Sequence, residues 1–286
     1  MKYNFLLFLS IAGLLGTGCN IINPAEKVPT YVHIDSFEFQ VDQPSKEGSA
    51  NQNISCAWVY FNNQPVGVFD LPVNVPILAD GPGEVLVIPG VAISGMKDYN
   101  TQYSFFKTAT TNIDGVPGTV TNYTPKTSYV DDAVFQWKED FETGSTFIPA
   151  NSESTTDTSI IRVTDKDMVF EGGAAGYIYM DATHYESENV TNASFPISQG
   201  RSFLEINYKC NTSFQVGLVT TVEGVVKPEY IIGIKPKDTW NKVYVDLSQF
   251  TSVYKGTSFR FMIKTGLDEG LTNGYVLIDN LKIISF

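Results

Sequence analysis

The stretch Phe203-Leu204-Glu205-Ile206-Asn207-Tyr208-Lys209-Cys210 alternates apolar and polar side chains, and Phe259-Arg260-Phe261-Met262-Ile263-Lys264 keeps nearly the same period. A period of two marks a strand with one face on a core. Leu204, Ile206 and Tyr208 therefore point inward, as do Phe259, Phe261 and Ile263, while Glu205, Asn207, Lys209, Arg260 and Lys264 point out. Similar short runs recur at 160–163, 177–180, 214–220, 230–234, 243–247 and 275–284. Short strands at this spacing predict a β-sandwich of jelly-roll type over 135–286.

The first half of the chain reads as strands too. Phe37, Phe39 and Val41 alternate with polar residues. The β-rich run 54–61 meets Asn62-Asn63, a pair tolerant of positive φ, before 66–69, which predicts a hairpin. Residues 84–91 form another apolar strand after the turn Asp80-Gly81-Pro82-Gly83. The segment 108–134 is rich in Thr, Pro, Gly and Asn and is expected to hold the last strand and the domain boundary. The expected fold class is all-β, with a small sandwich-like N-terminal domain over 31–134 followed by the jelly roll. An aromatic content of 13% agrees with strands filled by Tyr and Phe.

Residues 1–18 read as a signal peptide. Lys2 supplies the positive end, the apolar run from Phe5 to Leu15 is too short to span a bilayer, and Gly16-Thr17-Gly18 precede Cys19. This lipobox pattern predicts cleavage before Cys19 and a covalent diacylglycerol and acyl chain on it, with 19–30 as a proline-containing tether. Asn20 replaces the Asp that retains some lipoproteins in the inner membrane, so the expected location is the outer membrane, on either face. The formal charge of −12 disfavours nucleic acid as a partner.

Two groups of residues carry resemblances. Trp58-Val59-Tyr60-Phe61-Asn62-Asn63, Pro65-Val66-Gly67, Leu71-Pro72 and Gly83-Glu84-Val85 leading to Pro89-Gly90 resemble a PEGA-type surface β module, which implies presentation rather than chemistry. Glu139-Asp140-Phe141-Glu142, the 240–247 strand from Trp240 to Leu247, and Val276-Leu277-Ile278-Asp279-Asn280-Leu281-Lys282-Ile283 resemble the galactose-binding-like jelly rolls of carbohydrate-binding modules. The whole chain resembles a group of Bacteroides-type lipoproteins, which implies location rather than activity.

Catalytic groups are sparse. His33 and His184 have no second His at ligand spacing, so zinc or a His-based triad has nothing to build on. Cys56 and Cys210 alternate with apolar neighbours and read as small core hydrophobes. Calcium needs only oxygen ligands, and Asp140, Glu142 and Asp279 begin and end the second domain, where first and last strands can meet. The galactose-binding-like resemblance points to the same ion. For a ligand, the outward set Glu205, Asn207, Lys209, Tyr244, Arg260 and Lys264 offers an aromatic plane and hydrogen-bond groups, the two needs of sugar recognition.

The expectation is a non-catalytic envelope lipoprotein whose jelly roll binds glycan or a protein partner. Its rivals are a structural subunit of an outer-membrane assembly, which an exposed apolar patch favours, and a glycan-active hydrolase with a carboxylate pair across a cleft.

Overall fold

The computed structural model describes residues 26–96, 98–151, 158–254 and 258–286. Cys19 and the rest of the leader lie outside the described residues. Among the described residues no helix is long and apolar enough to cross a membrane.

The N-terminal part contains β1 (Thr30–Ile34), β2 (Glu38–Phe39), α1 (Pro44–Glu47), β3 (Cys56–Phe61), β4 (Gln64–Asp70), β5 (Val73–Ile77), β6 (Gly81–Ala92), β7 (Asn100–Gln102), β8 (Ala109–Gly115), β9 (Val120–Asn122) and β10 (Lys126–Thr127). One sheet runs β5-β1-β9 and another β4-β3-β6-β7; the long β6 also pairs with β8 through its first half. Val32, Ile34, Val75 and Ile77 of the first sheet meet Ala57, Val59, Val85, Val87 and Ile113 of the second in one core. The turn between β3 and β4 holds Asn62 and Asn63 at φ of 48° and 65°, where Asn is among the tolerated residues. The segment 108–134 is more ordered than its composition suggested. It supplies β8, in which Ala109, Ile113 and Gly115 are buried and the intervening threonines, being β-branched, suit a strand.

The C-terminal part contains β11 (Val134–Glu139), β12 (Phe147–Pro149), β13 (Ile161–Val163), β14 (Ala175–Asp181), β15 (Glu186–Thr191), β16 (Ser202–Cys210), β17 (Phe214–Val222), β18 (Val225–Ile234), β19 (Lys237–Asp246), α2 (Ser248–Val253), β20 (Phe259–Gly266) and β21 (Asn273–Ser285). Six strands form one sheet, β13-β14-β21-β16-β19 with β11 beside β21, and five form the other, β12-β15-β20-β17-β18. All pairings within both sheets are antiparallel. Leu204, Ile206, Tyr208, Val243, Val245 and Ile278 pack against Phe214, Val216, Leu218, Phe259, Phe261 and Ile263, so this is a β-sandwich jelly roll. Gly176 is needed at its position, because a Cβ there would lie 2.3 Å from the ring of Phe141. Phe141 is fully buried, and such burial contributes roughly 1.5–3 kcal/mol.

Among the described residues, ladder pairing between the two parts is confined to one parallel bridge, Ile93 with Tyr244. Packing does cross. Val91, Ile93, Tyr103, Phe105, Phe106 and Tyr129 cover Phe203, Tyr244 and Ile284 on the outer face of the six-stranded sheet. The Tyr103 ring stands edge-on to Phe106, Tyr244 and Phe203, with centroids 4.6, 5.0 and 5.2 Å away, a geometry that adds to simple area burial.

Candidate functional site

The parity read from β16 is correct, but half of the expected ligand face is covered. Glu205 and Asn207 do point away from the sandwich core, and Tyr244 lies beside them; all three are buried beneath the N-terminal part, Glu205 at 0% exposure. Glu205 accepts hydrogen bonds from the hydroxyls of Tyr103 at 2.8 Å and Tyr129 at 3.0 Å, and Lys242 Nζ stands 3.0 Å away as an ion pair. Lys282 donates to the carbonyls of Glu47 and Ser49 at 2.7 and 3.2 Å and to Tyr129. The Tyr244 hydroxyl donates to Gln52 and accepts from the Asn53 amide, and Asn207 Nδ2 donates to Asn51. These residues join the two parts and are closed to ligand. Burial alone would raise the Glu205 carboxyl, but Lys242 and Lys282 hold it below the usual range. Burial and neighbouring Lys242 push Lys282 down to about 7.

The three residues expected to hold calcium are placed on separate partners. Among the described residues no group of three His, Cys, Asp or Glu side chains is placed to hold a metal ion. Asp140 is exposed and accepts the Glu142 amide of its own turn. Glu142 accepts the Gly173 amide at 2.7 Å, while Asp279 is buried and accepts the amides of Asn280 and Glu171. Burial, opposed by those amides and reinforced by Glu142 and Glu171, raises Asp279 to about 7. The acid that organises the start of this part is Glu139, which the sequence reading passed over. It is buried and accepts the amides of Phe141 and Thr146 at 2.8 and 2.6 Å.

Arg260 and Lys264 lie on the outer face of the five-stranded sheet. Arg260 Nε donates to the Thr191 carbonyl, so its guanidinium is engaged with backbone. Lys264 Nζ is 3.2 Å from Glu188, whose other oxygen accepts the Tyr230 hydroxyl at 2.7 Å. A groove of about 360 Å³ runs beside Lys264, Gln215, Glu186 and Asp268. Cys56 and Cys210 are buried free thiols, each pushed up to about 11 chiefly by burial.

The uncovered end of the six-stranded sheet presents a different set. Ile178 and Met180 face the core, so Tyr177 and Tyr179 face outward. Tyr179 pairs across the ladder with Tyr275 and Tyr177 with Leu277, which in turn pairs with Lys209. The rings of Tyr177 and Tyr179 are 6.2 Å apart, and burial, then the phenols of Tyr179 and Tyr275, raises the Tyr177 hydroxyl. Trp240, on the same face of edge strand β19, packs on Phe170 at 5.3 Å. Tyr179 is 45% exposed and the other rings are half-buried. Among the described residues none hydrogen-bonds the three tyrosine hydroxyls. Of the expected ligand residues only half-buried Lys209 borders this strip. Its signal was present in the sequence, since Tyr177-Ile178-Tyr179-Met180 alternates ring and aliphatic.

No family model matches the chain, and no curated protein matches it in sequence. Similar solved structures include the carbohydrate-binding module TmCBM61 in complex with β-1,4-galactotriose, at 11% identity and a TM-score of 0.34, covering 50% of this chain and 92% of that one. The xylan-binding domain of carbohydrate-binding module family 22 is 11% identical, with a TM-score of 0.35 over 54% of this chain and 96% of its own. The K3 cleaved adhesin domain of Lys-gingipain from Porphyromonas gingivalis is 12% identical, with a TM-score of 0.37 over 54% and 99%.

Proposed function

We propose that the protein is a non-catalytic glycan-binding lipoprotein whose ligand lies along the aromatic strip of Tyr177, Tyr179, Tyr275 and Trp240. The observation behind this reading is the combination of outward tyrosine rings on β14 and β21, with Trp240 on the same face two strands from β21, and tyrosine hydroxyls that no described residue hydrogen-bonds. A sugar presents apolar C–H faces to aromatic planes and hydroxyls to polar groups, so the strip meets both demands at once. Lys209 at its border supplies a further donor. Rings on the neighbouring strands β14 and β21 suit a chain of sugar units lying across them. In this reading Cys19 carries the lipid, the protein sits at the outer membrane, and the sandwich holds the strip toward its ligand.

The test is a glycan array followed by calorimetric titration of the full protein with a glycan that the array captures. Tyr179→Ala and Tyr275→Ala should each weaken binding by tenfold or more, as truncation of a central aromatic does, with thermal melting nearly unchanged for the exposed Tyr179. Unchanged affinity in both variants would move the site elsewhere. An empty array, with a protein partner whose capture requires Tyr179, would replace glycan by protein docking.

A further inference from the structure

Where the N-terminal part meets the sandwich, two cavities adjoin. One of about 450 Å³ is lined by Gln102, Tyr103, Ser104, Phe106, Lys107 and Arg201 among others. The second, of about 290 Å³, is lined by Tyr99, Asn100, Thr101, Arg201, Phe203 and Asp246 among others. Arg201 belongs to both walls and so stands between them. Together they fall in the size range of pockets that enclose small ligands.

The chemistry of this crevice differs from that of the rest of the surface. In a chain with a formal charge of −12, Arg201 is exposed and pairs with no carboxylate among the described residues. Lys107 adds a second cation to the larger cavity, partly compensated by Asp131 at 2.8 Å and Asp42 at 3.5 Å. Opposing these, Asp246 lines the smaller cavity, with one oxygen accepting the Ser248 amide. The Ser104 hydroxyl is shielded from solvent and among the described residues has no hydrogen-bond partner, which costs free energy. Tyr103 and Phe106, both buried, lie behind the larger cavity, and Tyr99, 62% exposed, flanks the smaller one.

We infer that this crevice is a second binding site, distinct from the aromatic strip, for an acidic sugar unit, its carboxylate or sulfate held by Arg201 and its neutral edge by Gln102. Arg201 supplies a planar fork of donors suited to either anion. A guanidinium with no carboxylate partner among the described residues has no salt bridge there to break on binding. Because walls from both parts close the site, an occupied crevice also resists their separation.

The test is calorimetric titration of the whole protein with digalacturonate, with its neutral methyl ester, and with a chondroitin sulfate disaccharide. At least one acidic disaccharide should bind and the ester should bind at least tenfold more weakly. Arg201→Gln should reduce acidic binding by about ten- to a hundredfold, the effect of one charged hydrogen-bond partner, with melting of the unliganded protein unchanged. The proposal is overturned if neither acidic probe binds, if the ester binds as well as the acid, or if Arg201→Gln binds as tightly as wild type. Tyr179→Ala separates this site from the strip: loss of acidic binding in that variant would assign the binding to the strip and overturn the crevice.

Discussion

Replacing Glu205 by Gln removes one charge from the buried network between the two parts and changes almost nothing in volume. In the native protein the carboxylate faces Lys242 at 3.0 Å and accepts from Tyr103 and Tyr129, with Lys282 contributing further positive potential. The variant leaves Lys242 facing a neutral amide at a site of 0% exposure, with Glu47 the acid that still acts on Lys282. Breaking a buried pair in this way typically costs about 3–5 kcal/mol. A ceiling comes from protonation: a lysine of ordinary pKa, about 10.4, can be neutralised at pH 7 for about 4.6 kcal/mol, so the penalty does not exceed that by much. We expect a loss of about 3–4 kcal/mol at pH 7, read from urea unfolding with a fixed slope. The loss should shrink by at least 1 kcal/mol near pH 9.5, where neutralising a lysine is cheaper. Adding Lys242→Met to Glu205→Gln should restore part of the stability, with a coupling of about 2 kcal/mol or more between the two sites. A loss below about 1 kcal/mol, or one that does not change between pH 7 and 9.5, would refute the assignment of this network as a charged junction.

Further expectations concern pH and the anchor. Lys282, down to about 7 when folded, binds fewer protons than in the unfolded chain between about pH 7 and 10, so its contribution to stability should rise across that window. Asp279, up to about 7 when folded, binds more protons than unfolded Asp between about pH 4 and 7. Its contribution should fall as pH rises through that range, and Asp279→Asn should flatten this limb in urea midpoints measured at about pH 4.5 and 7. Cys19→Ser should release the protein from membranes into the soluble fraction; a variant that stays membrane-bound through a salt wash would dispose of the lipid anchor. Gly176→Val should destabilise the sandwich by a few kcal/mol in thermal melts by displacing the Phe141 ring; a melting point equal to wild type would show that the ring relocates freely.

Much of the architecture could be read along the chain because strand periodicity is local. The alternation in 203–210 gave the correct inward set, and Asn62-Asn63 marked a turn that needs positive φ. What covers an outward face is a tertiary matter, and there the reading stopped short. Glu205, Asn207 and Tyr244 look like any solvated set when only parity is known, yet Phe203 and Ile284 share their face and are both apolar, a local hint of a second layer. The carboxylates near the ends of the sandwich depend on tertiary placement in the same way. Proximity of strand ends does not fix side-chain direction, and Asp140 turned to cap its own loop while the neighbouring Glu139 turned inward. Tyr177 and Tyr179 were readable by the same alternation, whereas their union with Tyr275 depends on the register between β14 and β21.

The cover over β16 also bears on how this protein can be taken apart. A jelly roll is often regarded as a cassette, portable from one host chain to another by cutting at its first strand. Here a cut ahead of Val134 would strip Tyr103, Phe105, Phe106 and Tyr129 from Phe203, Tyr244 and Ile284 and leave Glu205, Lys242 and Lys282 without the tyrosines and carbonyls that solvate them. The freed sheet would combine an apolar patch with charges arranged for a dry environment, a surface prone to self-association. Transplanting the aromatic strip into another scaffold therefore calls for moving both parts together, or for redesigning the outward residues of β16, β19 and β21 as a water-facing surface.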